Sequence, residues 1–176
     1  MYEISTLSSG STGNAFVRAE VLDFFRRNFP ARFYSDEARE KMFAKYSSEQ
    51  TALEQLQGGR TWLLSRFIGT PNKPLGGIVW MDERNPGQHH IGWVITDRDH
   101  RRRGVGRALL EQAEIVARDS GNAKIMTASI EPENVPSIGL FEVMGYSPIP
   151  EGPEKQAMGF DPHGLGVDLA YAKDLD

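Results

Sequence analysis

Cysteine is absent from this chain. Its absence excludes disulfide bridges, thiolate zinc sites and cysteine nucleophiles, and it fits a reducing compartment such as the cytoplasm, where we expect the protein to work. Long apolar runs are absent too, since no stretch reaches the roughly 18 residues that a membrane-spanning helix needs. The first residues lack the basic segment and apolar core of a secretory signal. We therefore expect neither export nor a membrane partner.

Three common catalytic signatures are also missing. The chain has no Gly-x-Ser-x-Gly, no His-Glu-x-x-His and no Gly-Lys-Ser/Thr ending of a nucleotide P-loop. His89 and His90 are adjacent on a predicted strand, where successive side chains point to opposite faces, so they cannot share a metal ion. These absences argue against a serine hydrolase and a zinc hydrolase, and we expect no metal cofactor.

Basic residues are not in excess, since the 176 residues carry a net charge of −4, which argues against a general nucleic-acid binder. With 39% apolar residues the chain can fill one core, and we expect a single domain over residues 1–176. The arginines are nevertheless clustered, and five lie within ten residues: Arg98, Arg101, Arg102, Arg103 and Arg107. Such a run is a solvated basic face, a nucleic-acid patch or a clamp for phosphate.

The arginine cluster lies inside residues 91–121, which read as a strand, a turn and a helix. Residues 91–95 are β-branched or aromatic apart from one glycine, which is typical of a strand. Residues 105–116 carry apolar side chains at helical spacing, and Gly121 stands where helices commonly end. The turn between them, residues 101–106, has the pattern Arg-x-x-Gly-x-Gly. A helix that starts at glycines presents free backbone N–H groups and its positive dipole end, so this turn predicts a bound anion.

The remaining elements follow from the spacing of apolar residues. Strands are predicted at residues 2–7, 60–67, 75–82, 88–96, 124–130, 146–149 and 167–173. Helices are predicted at residues 15–29, 35–59 and 135–144, in addition to the central one. Short turns between the middle strands favour antiparallel pairs, whereas the strand–helix–strand unit around the central helix favours a parallel crossover. Residues 150–166, rich in glycine and proline, read as a long loop of the functional or mobile kind.

A second motif occupies residues 134–146, Asn-Val-Pro-Ser-Ile-Gly-Leu-Phe-Glu-Val-Met-Gly-Tyr. It is similar to a motif of the GNAT superfamily of acyl-CoA-dependent N-acyltransferases, Asn-x-x-Ala/Ser-x-x-Leu-Tyr-x-x-x-Gly-Phe/Tyr, with Phe141 as the one departure. The pattern at residues 101–106 resembles the pyrophosphate-binding signature of the same superfamily, Arg/Gln-x-x-Gly-x-Gly/Ala. The resemblance is good over residues 60–149. The first 59 residues match the family only in their general pattern, and the last 27 residues hardly match it at all.

The resemblance implies a fold of class α/β (α+β), with a mixed, mostly antiparallel central sheet of about six to seven strands flanked by helices. Two strands of such a sheet splay apart, and acetyl-CoA lies in the gap as the cosubstrate. Backbone amides of residues 102–107, with arginine side chains, would hold the pyrophosphate, and the pantetheine arm would pair along the preceding strand. The expected cofactor contacts are Val94, Ile95, Thr96, Arg101, Arg102, Arg103, Gly104, Val105, Gly106, Arg107, Asn134 and Phe141.

Two of these contacts have a second interpretation. Asn134 is expected near the pantetheine, but an asparagine just before a short helix is equally an N-cap. Phe141 is expected near the sulfur, where many members carry a tyrosine, and it cannot donate a proton. A thiol with an ordinary pKa of roughly 8.5 is a tolerable leaving group, which water could protonate. Tyr146 and Tyr171 are the substitutes within the chain, and Tyr146 fits the core better.

Direct transfer to an amine needs a base that takes a proton. Several family members hold a glutamate just before the apolar run of this strand, and here His90 stands at that place. Its ordinary pKa of roughly 6.5 suits the role, and by simple alternation it shares a strand face with Gly92 and Val94. Glu83 and Asp97 are the other candidates, and the alternative is an ordinary strand histidine without a catalytic role.

The function that the resemblance implies is transfer of an acetyl group to a primary amine, on a small molecule or a peptide, in a ternary complex. The first two helices and residues 150–166 would shape the acceptor site, and the acidic net charge is mildly compatible with a cationic amine. A non-catalytic acyl-CoA-binding or sensor domain of the same fold is the alternative. A nucleic-acid module is third, and we expect no nucleic-acid partner. Formation of a homodimer is left open.

Overall fold

The computed structural model describes residues 1–7, 15–28, 60–69, 74–160 and 169–175. The helical region predicted at residues 35–59 lies outside the described residues. The statements below concern the described residues.

Seven strands form one sheet in the order β1-β2-β3-β4-β5-β7-β6. The strands are β1 (Tyr2–Leu7), β2 (Thr61–Phe67), β3 (Leu75–Asn85), β4 (Gln88–Thr96), β5 (Ile125–Ile130), β6 (Ser147–Pro148) and β7 (Leu169–Asp174). Only β4 and β5 pair in parallel, and all other neighbours are antiparallel. The predicted mixed, mostly antiparallel sheet is confirmed, and its single parallel pair is the crossover expected around the central helix.

The helices are α1 (Ala15–Asn28), α2 (Val105–Asp119), α3 (Val135–Val143) and α4 (Pro153–Ala157), with a 3₁₀ turn at Arg98–His100. Helix α2 ends at Ser120, and Gly121 follows in the left-handed conformation with φ 80°, as expected of a glycine after a helix. The prediction of a continuous loop at residues 150–166 is wrong, because α4 lies within it. Pro153 is the first residue of α4, a position where proline costs no hydrogen bond.

Each face of the sheet carries one hydrophobic cluster. Helix α2 packs on one face, where Leu109 and Leu110 are fully buried, and burial of each stabilises the fold by roughly 2 kcal/mol. Helix α1 packs on the other face through Phe24 and Phe25. The start of α2 lies directly over β3, because a Cβ atom added to Gly77 would be 2.8 Å from the Leu109 Cδ1 atom. This close approach determines where the first turn of α2 stands above the sheet.

A β-bulge at Gly92 interrupts the alternation of β4. Trp93 pairs with Trp80, but the next pair joins Ile91 to Met81, so Gly92 is an extra residue on β4. Ile91 and Val94 therefore both pack in the α2 cluster, and Trp93 packs in the α1 cluster. The predicted shared face of His90 and Val94 is wrong for this reason. His90 precedes Ile91 on the opposite face, beside Trp80.

Candidate active site

A wedge opens in the sheet where β4 and β5 part. Their parallel ladder joins Gln88 through Ile91 to Ile125 through Ala128 and goes no further. Beyond it, β4 keeps β3 as a partner and β5 keeps β7, so one edge of each strand faces the wedge. We call this wedge the cleft, and the residues that line it are Ile91, Gly92, Trp93, Val94, Ile95, Ser129, Ile130, Glu131, Asn134, Ser137 and Phe141.

A larger pocket of about 460 Å³ continues the cleft towards the start of α2. We call it the turn pocket, and its lining residues are Asn28, Val94, Ile95, Thr96, His100, Arg101, Arg102, Gly104, Val105, Gly106, Arg107, Asn134, Pro136, Ser137 and Leu140. Four residues, Val94, Ile95, Asn134 and Ser137, line both spaces. Cleft and turn pocket therefore form one continuous groove from the wedge to the helix start.

The backbone of the turn is shaped to hold an anion. Arg102 has φ 62° and Gly104 has φ 79°, so two left-handed residues curve the chain around the helix start. The first helical bond joins the Ala108 N–H to the Gly104 carbonyl at 3.0 Å. The N–H groups of the preceding residues in α2 have no acceptor within the helix and lie at the positive end of its dipole. Successive free N–H groups of this kind bind phosphate oxygens.

Gly106 brings this turn close to the rest of the groove. A Cβ atom there would lie 3.2 Å from the Leu140 Cδ2 atom and 3.5 Å from the Thr96 Cγ2 atom. Any larger residue would push α2 away from α3 and from the end of β4. Gly106, the second glycine of the motif, therefore allows α2, α3 and the end of β4 to lie close together around the groove.

The arginine side chains of the turn are exposed to solvent. Arg101, Arg102 and Arg107 line the turn pocket, whereas Arg103 does not. Arg107 also forms an ion pair with Glu111 at 2.8 Å, and both side chains are largely exposed. The structure thus brings together eleven of the twelve predicted cofactor contacts along the groove and leaves Arg103 outside it.

Asn134 has the position that both of its interpretations require. Its Oδ1 atom accepts a hydrogen bond from the Ser137 N–H at 3.4 Å, so it caps α3. The same residue lines the cleft and the turn pocket. Phe141 lies deeper, 2% exposed, with its ring against the Tyr146 ring at 4.9 Å between centroids.

His90 is buried beside the cleft, directly before its first lining residue. Its Nδ1 atom lies 3.1 Å from Thr127 Oγ1, and that hydroxyl donates its proton to the His89 carbonyl at 3.3 Å. When the Thr127 proton is directed at the His89 carbonyl, Nδ1 of His90 is the donor and Nε2 carries the lone pair. Burial, with the positive charges of Arg84 and Arg60, lowers the pKa of His90 to about 3. The imidazole is thus neutral at physiological pH and a weak proton acceptor in the free protein.

Comparison with known families adds a match over most of the chain. The sequence model of the Acetyltransferase (GNAT) family matches residues 19–146, which include both motifs and every lining residue of the groove. The chain belongs to the GNAT acetyltransferase family. None of the curated proteins matches its sequence.

Solved structures show the same fold at low sequence identity. The GNAT chain is similar to the PaiA N-acetyltransferase of Thermoplasma acidophilum in complex with coenzyme A, with TM-score 0.74 and 16% identity over 99% of both chains. It is also similar to the ribosomal-protein-S18-alanine N-acetyltransferase of Escherichia coli, with TM-score 0.64 and 17% identity over 100% of this chain and 95% of that one. An aminoglycoside 6'-N-acetyltransferase complexed with coenzyme A has TM-score 0.64 and 13% identity over 99% and 97% of the two chains.

None of the predicted catalytic groups of this GNAT chain, His90 included, is among the lining residues of the groove. The Glu83 carboxylate accepts from the Gly87 N–H and from Asn122 Nδ2, both at 2.9 Å, at the β3–β4 turn. Asp97 caps the 3₁₀ turn through the Asp99 N–H at 3.0 Å. The structure therefore does not bring Glu83 to the cleft beside His90.

Neither substitute tyrosine lines the groove. The Tyr146 hydroxyl lies in the core, 3.7 Å from Met126 Sδ, and burial raises its pKa. The Tyr171 hydroxyl donates to Glu142 Oε1 at 3.3 Å, and burial also raises its pKa. Neither tyrosine contributes to the cleft lining, so the structure supplies no replacement for the missing acid among them.

Five lining residues of the turn pocket were not predicted as contacts: Asn28, His100, Pro136, Ser137 and Leu140. Buried Asn28, at the end of α1, accepts from the Arg98 N–H at 2.9 Å and donates to the Phe24 carbonyl at 3.1 Å. His100 pairs with Asp97 Oδ1 at 2.7 Å, and its ring packs on Phe67. The sequence offered one signal for Asn28, because it is a polar residue at a position of α1 where helical spacing places apolar side chains.

Within the described ranges of the chain, no helix is long and apolar enough to span a membrane. Nor do three or more histidine, aspartate or glutamate side chains come together as a metal site in those ranges.

Proposed function

We propose that this GNAT chain transfers the acetyl group of acetyl-CoA to a primary amine by direct attack within a ternary complex. The observation that carries the proposal is the continuous groove from the wedge to the first turn of α2. Its length and chemistry suit a molecule with a pyrophosphate at one end, a thioester at the other and a neutral arm between. Family membership and neighbours that bind coenzyme A support this reading.

The groove assigns a role to each part of the cofactor. The free N–H groups at the start of α2 would hold the pyrophosphate, with Arg101, Arg102 and Arg107 adding charge-assisted bonds. The arm would lie along the edge of β4 that β5 leaves open, at Val94 and Ile95, as an added strand does. A peptide N–H near the bulge would polarise the thioester carbonyl, as an oxyanion hole does.

The proton balance of the reaction is simple. The amine nitrogen attacks the carbonyl carbon, the C–S bond breaks, the amine loses one proton and the thiolate gains one. His90 is the proposed acceptor of the amine proton through its Nε2 lone pair, directly or through water. Because Phe141 has no proton to give, solvent would protonate the thiolate.

The alternative is a non-catalytic acyl-CoA sensor with the same groove. The observation that favours it is Phe141 in the cleft, with both candidate tyrosines placed elsewhere. Loss of the acid affects turnover, but it leaves the pyrophosphate and pantetheine contacts intact.

Calorimetric titration with acetyl-CoA and a thiol-release assay over an amine panel test both readings. We expect binding of acetyl-CoA, and thiol release with at least one class among amino acids, peptide N-termini, polyamines and aminoglycosides. Binding without release on every amine would favour the sensor. Failure to bind acetyl-CoA would overturn both.

A further inference from the structure

Two arginines converge beside His90 on the face of the sheet away from α2. The Arg60 Nε atom lies 3.4 Å from Asp82 Oδ2, and the Arg84 Nε atom lies 3.7 Å from Asp82 Oδ1. Asp82 is the register partner of His90 across β3 and β4. We call Arg60, Asp82 and Arg84 the guanidinium cluster. Within the described part of the chain it holds two positive charges and one negative charge, so it carries an excess of one positive charge.

The indole ring of Trp80 lies between the guanidinium cluster and the cleft. The Arg60 guanidinium lies over Trp80, with its central carbon 4.3 Å from the ring centroid. The same indole covers Gly92, where a Cβ atom would be only 1.7 Å from Trp80 Cζ2. Gly92 lines the cleft at the end remote from the turn pocket. The cluster therefore stands next to the end of the groove where the thioester would lie.

Among the described residues of this region, side-chain hydrogen-bond donors outnumber side-chain acceptors. The buried indole N–H groups of Trp62 and Trp80 have no partner among these residues, and the two tryptophans are direct neighbours across β2 and β3. Two guanidinium groups bring up to five N–H donors each. Against them stands the single carboxylate Asp82, of which Oδ1 forms no hydrogen bond. Buried donors without partners are costly, and the Arg60 and Arg84 side chains are 22% and 34% exposed, so a ligand can reach the guanidinium groups and supply acceptor atoms.

We propose that the amine acceptor carries a carboxylate next to its amino group, as an amino acid does, and that Arg60 and Arg84 bind this carboxylate while the amine faces His90. A guanidinium fork matches the two oxygens of a carboxylate. Asp82, which pairs with both arginines, is directly opposite His90, so the guanidinium cluster and the imidazole are close enough for one small molecule to reach both. This substrate class rests on the proposed acetyl transfer, and it replaces the cationic amine that the net charge of the chain had favoured.

The same arrangement couples substrate binding to the proton acceptor. Arg84 and Arg60 are two of the three causes that lower the pKa of His90, after burial. The described charged groups that face His90 are these two arginines and Asp82. A bound carboxylate would offset their positive charge, so the imidazole would take up a proton more readily once the acceptor is in place.

Matched acceptors test the proposal in the thiol-release assay. The panel sets an amino acid such as phenylalanine against its amide and its decarboxylated amine, with a polyamine as the cationic arm. We expect kcat/KM to be roughly tenfold to hundredfold higher for the free carboxylate than for the amide, since a hydrogen bond to a charged group has about that effect. Equal or faster turnover of the amide or polyamine would overturn the inference.

The arginines themselves are tested by Arg84→Gln and Arg60→Gln, with Arg27→Gln as the control. The Arg27 side chain is exposed and forms an ion pair with Asp23 of the same helix at 2.9 Å. We expect each cluster variant to lose most of the preference for the carboxylate and to keep its affinity for acetyl-CoA, whereas the control keeps both. Arg84→Gln keeps the test valid if Arg60→Gln misfolds, because the Arg84 side chain does not stack on Trp80. An unchanged preference in Arg84→Gln would refute the assignment.

Failure of this inference differs from failure of the proposed function. Thiol release with amines but no carboxylate preference leaves acetyl transfer standing and removes the amino-acid class. Absence of thiol release with every acceptor removes the proposed acetyl transfer, and this inference with it.

Discussion

The two ends of the groove recognise their ligands in different ways. At the turn pocket, the recognition groups are backbone N–H groups and exposed arginines from one continuous segment of seven residues, 101–107. At the His90 end, they are side chains from β3, β4 and β5 and from the residue before β2, and they range from buried His90 to exposed Arg84. The first end is a local backbone structure, and the second exists only because the strands pair.

This difference has an energetic consequence. Exposed arginines at the turn are screened by salt and should tolerate exchange, because the proposed phosphate would be held chiefly by the backbone. At the His90 end, low exposure strengthens each charge, so a single guanidinium changes the proton affinity of a neighbour. Substitutions should therefore act mildly and on cofactor affinity at the turn, and strongly and on turnover or stability beside His90.

Gly92, at the His90 end of the groove, should show the largest effect. In Gly92→Ala the new Cβ atom would lie 1.7 Å from the Trp80 indole, so either the bulge or the indole must move. We expect a loss of about 3 kcal/mol or more in the free energy of unfolding, measured in urea. The control is Gly139→Ala inside α3, where no atom lies within 4 Å and alanine should stabilise the helix by roughly 0.5–1 kcal/mol. Equal stability of Gly92→Ala and the wild type would contradict the close contact.

His90→Gln should remove the proton acceptor while keeping a group that can hydrogen-bond to Thr127. We expect kcat to fall about a hundredfold, the lower range for general base catalysis, with unchanged affinity for acetyl-CoA. His89→Gln, on the opposite face of β4, is the matched control. If His90→Gln keeps both its kcat and its pH–rate profile, His90 has no role in proton transfer.

Acid should destabilise the protein through His90. Its pKa is about 3 in the folded protein, below the ordinary 6.5, so the unfolded chain binds the proton more tightly. The contribution is fully present above about pH 6.5 and is lost as pH falls towards 3, which amounts to roughly 2 kcal/mol between pH 7 and pH 5. Urea titrations at both pH values measure this slope, and His90→Gln should flatten it. A slope that is the same in the variant would assign the effect to other groups.

Gly104→Ala should show the smallest effect, confined to the cofactor. A left-handed conformation costs a residue with a Cβ atom about 1 kcal/mol, and here it would disturb the N–H groups that face the turn pocket. We expect roughly tenfold weaker binding of acetyl-CoA in calorimetry. Gly121→Ala has nearly the same backbone angle, φ 80° against 79°, but lies at the far end of α2. It should lose similar stability and no affinity, and a similar loss of affinity in both variants would show that the turn has no special role.

Much of the fold follows from local periodicity. The strands at residues 2–7 and 88–96 appear at their predicted bounds, and α2 begins at Val105 as expected, because each pattern covers enough residues to determine its own element. Helix α4 was missed because five residues hold too little periodicity to distinguish them from a loop.

The errors at the site share one cause: the positions of these side chains depend on a neighbouring strand or helix. Simple alternation placed His90 on the face of Val94, but the Trp80 indole on β3 selects a bulge at Gly92 and reverses that relation. Asn28 joins the turn pocket through a bond to Arg98, 70 residues away in sequence. No local pattern encodes such a pairing.

The sequence by itself determined the anion-binding turn. Its glycines permit the left-handed angles, the helix that follows orients the free N–H groups, and both properties belong to contiguous residues. Only the tertiary structure decided the chemistry at the other end. Pairing of β2, β3, β4 and β5 buries His90, sets its tautomer through Thr127 and places Arg60 and Arg84 beside it. Burial and the distance between charges are properties of the packed sheet, and so are the proton affinity and the acceptor preference that we infer from them.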